Sequence, residues 1–128
     1  MLCIDDEEDI TRAIKLRLEH SGIDVICAQN GKDGVRLALE ERPDAIVSDL
    51  VLPDGEGMFI LRQIKSNPVT QHISVIILTG QGYESIKRQV LQAGAAAYLT
   101  KPVNFSELLQ TIRMQVEESQ YLAQMVLN

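Results

Sequence analysis

Short apolar runs alternate five times along the chain with longer segments whose apolar residues recur at helical spacing. The runs are continuously apolar, as in strands that are buried on both faces of a sheet. The segments between them are long enough to be the crossover helices that parallel strands require. Because such crossovers are almost always right-handed, the pattern predicts a doubly wound α/β fold, with five parallel strands and five helices.

The predicted elements divide the chain without a long gap, as expected for a single domain of 128 residues. Asn104 and Glu107 have the spacing of a capping box, which marks the start of the last helix after Pro102. The predicted strands are residues 2–4, 25–28, 45–48, 73–79 and 95–99. The first four predicted helices are residues 7–20, 31–41, 57–66 and 83–93.

The charge and the apolar runs exclude several classes of function. A net charge of −6 argues against binding of nucleic acid or of an anionic membrane by this domain itself. No apolar run is long enough to cross a bilayer, and we place the protein in the cytoplasm. Cys3 and Cys27 lack the spacing of zinc ligands, so they are predicted to be buried, reduced thiols on strands.

Polar residues stand where four of the five predicted strands end. Asp5 and Asp6 follow the first strand, Asp49 follows the third, Thr79 ends the fourth, and Lys101 comes just after the fifth. In doubly wound folds the ligand site lies outside the carboxyl ends of the strands, at a switch in strand order. We therefore expect these five side chains to lie close together.

Such a group of side chains favours metal-assisted phosphoryl chemistry. Three neighbouring carboxylates repel one another, and the single positive charge of Lys101 does not balance them. A hard cation with oxygen ligands supplies the missing charge, and Mg²⁺ suits such a site. A metal, an ammonium and a hydroxyl together match a phosphoryl group, and an aligned Asp carboxylate can be the nucleophile that forms an acyl phosphate.

Taken one at a time, each residue also has an ordinary structural explanation. Acidic residues such as Asp5 and Asp6 favour a helix N-terminus. Asp49 could only begin a solvated turn, Thr79 could only end a strand, and Lys101 could be a surface lysine. The structural explanation for the whole set requires separate accidents at four strand ends on one edge of the sheet. A common site is therefore the better hypothesis.

The motifs around these residues resemble those of the receiver domains of bacterial two-component response regulators. The resemblance covers about residues 2–118, and we take residues 1–118 as the receiver domain. It implies a flavodoxin-like sheet with strand order 2-1-3-4-5. The matching motifs are the pair Asp5-Asp6, D-L-V-L-P at 49–53, Gly57, L-T-G at 78–80 and Y-L-T-K-P at 98–102.

The resemblance implies a role for each acidic position. Asp49 would take a phosphoryl group from a histidine kinase or a phosphotransfer protein. Asp6, Asp49 and the backbone carbonyl of Val51 would bind Mg²⁺ directly, while Asp5 would act through a water. The module would be a signalling switch rather than an enzyme that turns over outside substrates.

The resemblance also implies a switch at the last two strands. Lys101 would pair with the phosphoryl group, and Thr79 would move to donate a hydrogen bond to it. Tyr98 would then turn inward and reshape the surface of the fourth helix, fifth strand and fifth helix, which a partner, a second copy or an attached output domain would read. The alternative is a half-buried strand tyrosine with no switching role. By similarity, a cis peptide bond is expected before Pro102.

Some positions depart from the common pattern or vary within it. Glu56 stands where Asp is more usual in the family. The resemblance implies that Val51 and Gln81 occupy variable positions that tune the lifetime of the phosphoryl group, but neither residue predicts a lifetime here. The first strand is short, which is consistent with a segment taken from a longer protein. Residues 119–128 keep apolar residues at helical spacing, namely Tyr121, Leu122, Met125 and Val126. They are expected to be a helical extension or linker, a dimer contact or a frayed tail.

Two other classes of function remain as alternatives. A phosphatase of the haloacid dehalogenase type would favour a second Asp two positions after the nucleophile, and here that position is Val51. A degenerate receiver that serves only as a binding module would be expected to lack an acidic, acceptor or lysine position. None of these positions is missing, so both alternatives are less favoured than a phospho-accepting switch.

Overall fold

The protein forms one five-stranded parallel sheet with helices on both faces in the computed structural model, which describes residues 1–80 and 82–127. For residues 55, 56, 119, 122, 123, 126 and 127 the description covers the backbone alone. The strands of this sheet are β1 (Leu2–Ile4), β2 (Ile26–Ala28), β3 (Ala45–Ser48), β4 (Ser74–Thr79) and β5 (Ala97–Thr100). The helices are α1 (Glu8–His20), α2 (Gly31–Glu41), α3 (Gly57–Ser66), α4 (Glu84–Gln92) and α5 (Phe105–Leu127).

The strand order is β2-β1-β3-β4-β5, and each neighbouring pair is parallel. This confirms the predicted doubly wound, flavodoxin-like fold. The order reverses direction between β1 and β3, because the chain builds outward from β1 to β2 and then crosses back to β3. The carboxyl ends of β1 and β3 are therefore adjacent at the point where such folds place their ligands.

Successive residues of the central strand supply the two cores. Ile46 packs in the cluster shared with α2, α3 and α4, whereas Val47 packs in the cluster shared with α1 and α5. Both side chains are almost fully buried. Because neighbouring residues of a strand point to opposite faces, a strand with helices on both sides has to be apolar throughout. This is why the apolar runs in the sequence are continuous.

One small element was not predicted from the sequence. Residues Val51–Leu52 and Gly55–Glu56 pair as a short antiparallel ladder, and we call residues 51–56 the hairpin. Two-residue strands are too short to carry a periodic signal, and Pro53 and Asp54 read only as a turn. The hairpin lies between β3 and α3 and begins two residues after Asp49.

The burial of Cys27 differs from the prediction. Cys3 is buried and Cys27 is exposed, although both were expected to be buried; both thiols are free. The difference arises because β2 is an edge strand of the sheet. Burial raises the pKa of the Cys3 thiol, and partial desolvation raises the pKa of the Cys27 thiol.

Helix α5 continues without a break to Leu127. Its capping residue is as predicted, since Asn104 Oδ1 accepts a hydrogen bond from the Glu107 backbone N–H at 3.0 Å. In the extension, Tyr121 and Met125 are exposed, whereas the side chains of Leu122 and Val126 lie outside the description. The division of the chain after residue 118 stays a prediction. Among the helices of residues 1–80 and 82–127, none combines the length and apolarity needed to span a membrane.

Gly57 allows α3 to begin directly against the backbone of the strand-end segment. Its N–H donates to the Leu50 carbonyl at 2.6 Å. A Cβ added at Gly57 would overlap the Asp49 carbonyl oxygen and lie 2.6 Å from the Leu50 Cα. These are backbone atoms and cannot swing away, so only glycine fits.

We expect Gly57→Ala to lower the free energy of unfolding by about 2–3 kcal/mol, because the added methyl overpacks a backbone contact. Urea unfolding followed by circular dichroism measures the change. Gly82→Ala is the matched control, since its added Cβ would lie 3.9 Å from the Thr100 Cγ2, an ordinary contact. Equal stabilities for the two variants would show that the contact at Gly57 is not restrictive.

Candidate functional site

Three carboxylates meet at the carboxyl ends of β1 and β3. One oxygen each from Asp5, Asp6 and Asp49 lies within 4.8 Å of the others. Asp5 and Asp49 are buried, at 3% and 5% exposure, while Asp6 is exposed. The pairing of β1 with β3 produces this proximity, and the Asp49 N–H continues the ladder by donating to the Ile4 carbonyl at 3.0 Å.

Lys101 reaches this group of acids from the end of β5. Its Nζ lies 2.8 Å from Asp49 Oδ2 and 3.0 Å from Asp5 Oδ2. It also lies 3.3 Å from Glu7 Oε1, a residue to which sequence reasoning assigned no role. The acidic run after the first strand was the available signal for Glu7. The peptide bond between Lys101 and Pro102 is cis, as expected from the sequence.

The site is electrostatically unbalanced toward negative charge. Burial raises the pKa of Asp5, against hydrogen bonds from the Glu7 N–H and from Lys101, and the neighbouring charge of Asp49 adds to the rise. Burial alone would lower the pKa of Lys101, but the hydrogen bonds and charges of Asp49 and Asp5 outweigh it and leave the pKa raised. Lys101 is therefore a permanent cation at neutral pH. One such charge does not neutralise the surrounding carboxylates.

The donor set fits Mg²⁺. Because Mg–O distances are 2.0–2.1 Å, two oxygens on one ion are at most about 4.2 Å apart, and an oxygen acting through a water can be farther away. The carboxylate oxygens lie within 4.8 Å of one another, so the cluster can surround such an ion if one of its acids acts through a water. The Val51 N–H donates to Asp49 Oδ1 at 3.2 Å, so the Val51 backbone adjoins the same carboxylate.

Thr79 and Tyr98 lie on the two neighbouring strands β4 and β5. Thr79 is fully buried, and its backbone carbonyl accepts the Lys101 N–H at 2.8 Å. The Tyr98 ring packs against the core cluster shared with α2, α3 and α4. Its hydroxyl is buried and has no hydrogen-bond partner within residues 1–80 and 82–127. Burial raises the pKa of Tyr98, and the charge of Glu84 adds to the rise. Gln81 lies outside the described residues.

Comparisons with known proteins place this arrangement in a family. A model of the response regulator receiver domain matches residues 1–113. The chain belongs to the response regulator receiver domain family. Protein PilH of Pseudomonas aeruginosa is 39% identical to this receiver domain over 112 residues, which cover 88% of this chain and 93% of that protein.

Two solved structures resemble the receiver domain closely in fold. The beryllofluoride-activated NtrC4 receiver domain dimer is 31% identical, with a TM-score of 0.85, over 92% of this chain and 96% of that chain. A response regulator protein from Burkholderia pseudomallei is 27% identical, with a TM-score of 0.81, over 95% of this chain and 71% of that chain. That structure contains a phosphorylated aspartic acid, a calcium ion and citrate.

Proposed function

We propose that Asp49 accepts a phosphoryl group from a histidine kinase or a phosphotransfer protein. The observation that supports this most is the bridge from Lys101 Nζ to Asp49 and Asp5 beside the cluster of three carboxylates. A nucleophilic carboxylate, a fixed cation and a set of metal ligands then meet at one point. The phosphorylated aspartic acid in the Burkholderia relative supports the same assignment.

The transfer depends on a positioned nucleophile and on balanced charge. An Asp49 carboxylate oxygen attacks phosphorus and forms the acyl phosphate. The bond from phosphorus to the donor's imidazole nitrogen breaks, and its electron pair leaves with that nitrogen. Lys101, 2.8 Å from Asp49 Oδ2, lies close enough to balance the charge on the phosphoryl oxygens. Asp6, Asp49 and the Val51 carbonyl would hold Mg²⁺, with Asp5 acting through a water.

Bound Mg²⁺ would supply the positive charge that Lys101 alone cannot provide. The chain's own acids set how many charges need balancing, and the burial of Asp5 and Asp49 makes those charges costly. Mg²⁺-dependent transfer is therefore part of the proposal.

Phosphorylation would switch the surface formed by α4, β5 and α5. A phosphoryl group adds negative charge and strong acceptor oxygens, to which Lys101 and the Thr79 hydroxyl can donate. Tyr98 would respond, because its buried hydroxyl is without a partner in the described residues and packs beside the strand that carries Thr79. A nearly complete switch requires about 5.5 kcal/mol of differential stabilisation, which two or three charge-assisted hydrogen bonds can supply.

The switched surface would be recognised by an attached output domain, a separate partner or a second copy of the domain. The NtrC4 receiver domain dimer shows that a relative of this fold can pair. The module would act in the cytoplasm, where a histidine kinase obtains ATP. It would catalyse only its own phosphorylation and dephosphorylation, since Val51 occupies the position where a phosphatase would carry its general acid.

The proposal is tested by labelling with acetyl phosphate in the presence and absence of Mg²⁺. Intact mass spectrometry should show one added phosphoryl group with Mg²⁺ and almost none with excess chelator. Asp6→Asn should raise the Mg²⁺ concentration for half-maximal labelling by about tenfold. Asp9→Asn, an exposed acid in the first turn of α1, should leave it unchanged. An equal extent of labelling with Mg²⁺ and with excess chelator would contradict the proposal.

A further inference from the structure

The hairpin is tied to a distant helix by Asp54. We propose that Asp54 is a positioning residue that holds the hairpin, and with it the Val51 carbonyl, in place for Mg²⁺ by capping the N-terminus of α2. The inference rests on the proposed function, because it concerns the geometry of that metal site. Asp54 itself is exposed and is not one of the three clustered acids.

Both carboxylate oxygens of Asp54 are used in this contact. Oδ1 accepts the Gly31 N–H at 2.8 Å, and Oδ2 accepts the Lys32 N–H at 2.9 Å. These are the first two N–H groups of α2, which have no partner within the helix. The two hydrogen bonds lower the pKa of Asp54, so the carboxylate is charged at neutral pH and favoured by the helix dipole.

The close approach depends on Gly31. A Cβ at this position would lie 2.6 Å from the Ile60 Cδ1 and 3.3 Å from Asp54 Oδ1. A larger residue would therefore push the carboxylate or the α3 side chain away. The absence of a side chain at Gly31 thus allows the close contact between α2 and the hairpin.

The remaining N-terminal groups of α2 are satisfied locally. The Asn30 side chain accepts the Asp33 N–H at 2.8 Å, and the Asn30 carbonyl accepts the Gly34 N–H at 3.1 Å. Asn30 thus caps the same helix end, and within the described residues its hydrogen bonds go to Asp33 and Gly34 and not to the hairpin. This makes it a matched comparison for Asp54, because both residues support α2 but only Asp54 supports the hairpin.

Besides the contact of Asp54, the described residues hold the hairpin at its base and through the buried side chain of Leu52. At the base, the Val51 N–H donates to Asp49 Oδ1, and the Gly57 N–H donates to the Leu50 carbonyl. Leu52 is buried in the core cluster. Asp54 adds a polar anchor at the tip. Without it, the tip loses these two hydrogen bonds to α2, and binding a cation through the Val51 carbonyl has to order the hairpin at the same time.

The test compares Asp54→Ala with Asn30→Ala. Each removes a cap from α2, so both should shift the urea midpoint of the metal-free protein by a similar amount. Titration calorimetry with MgCl₂ should show an affinity about tenfold weaker for Asp54→Ala and nearly unchanged for Asn30→Ala. Asp54→Asn, which keeps one acceptor oxygen, should fall between the wild type and Asp54→Ala.

Amide hydrogen exchange of the metal-free proteins gives a second readout. Exchange at Val51 should be faster in Asp54→Ala than in Asn30→Ala. Equal Mg²⁺ affinities in the two alanine variants, or equal exchange at Val51, would overturn the positioning role. Failure of the wild type to bind Mg²⁺ would instead contradict the proposed function, and the exchange comparison would still decide whether Asp54 holds the hairpin.

Discussion

Asp49→Asn should abolish phosphoryl labelling of the receiver domain while preserving its fold. The amide is a poor nucleophile, and no acyl phosphate can form on it. Its carbonyl oxygen can still accept a hydrogen bond from Lys101, and the substitution removes one of three repelling acids. After incubation with acetyl phosphate and Mg²⁺, intact mass spectrometry should show labelling at background level, with an unchanged circular dichroism spectrum.

The control for this prediction lies at the other end of the same strand. Asp44 immediately precedes β3 and is exposed, so Asp44→Asn removes an equal charge far from the site. It should be labelled as fully as the wild type. Full labelling of Asp49→Asn would contradict the assignment of the acceptor, whatever the behaviour of the control.

Lys101→Met should lower the free energy of unfolding by about 3 kcal/mol in metal-free buffer at neutral pH. The Lys101 side chain is only 13% exposed, and its ammonium pairs with two buried carboxylates. Its removal leaves those charges unbalanced. Urea unfolding in the presence of a chelator measures the loss, and added Mg²⁺ should restore much of it.

The loss should also depend on pH in a defined direction. Burial already raises the pKa of Asp5 above its ordinary value, so this carboxyl favours the folded state most when it is protonated. Stability is then lost as the pH rises through the folded-state pKa of Asp5. The deficit of Lys101→Met should therefore shrink in acid. Lys87→Met, an exposed lysine of α4, should show neither the loss nor the pH trend.

The parts of the fold that follow from local periodicity could be predicted from the sequence. Helix α2, strand β3 and helix α3 have the predicted bounds, because apolar spacing and turn residues determine them. The convergence of Asp5, Asp49 and Lys101 could also be predicted, since parallel strands bring their carboxyl ends to one edge. The metal-binding and switching roles assigned to these residues stay predictions.

The contacts that were missed depend on the direction of a side chain or on the packing of segments that are far apart in the sequence. Glu7 contacts Lys101, but an acid after a strand does not reveal which way its side chain points. The sequence around Asp54 predicts only a turn, and it does not indicate that the side chain contacts the start of a helix 22 residues earlier. Cys27 is exposed because β2 lies at the edge of the sheet, and the position of a strand in the sheet cannot be inferred from the residues of that strand alone.

Mapping the phosphorylated residue tests the central claim most directly. The wild-type domain is treated with acetyl phosphate and Mg²⁺, reduced with borohydride to convert an aspartyl phosphate to the alcohol, and digested for tandem mass spectrometry. The account predicts conversion of Asp49 alone among the aspartates, and no conversion when Mg²⁺ is withheld. Modification at any other aspartate in place of Asp49, or equal conversion without Mg²⁺, would contradict it.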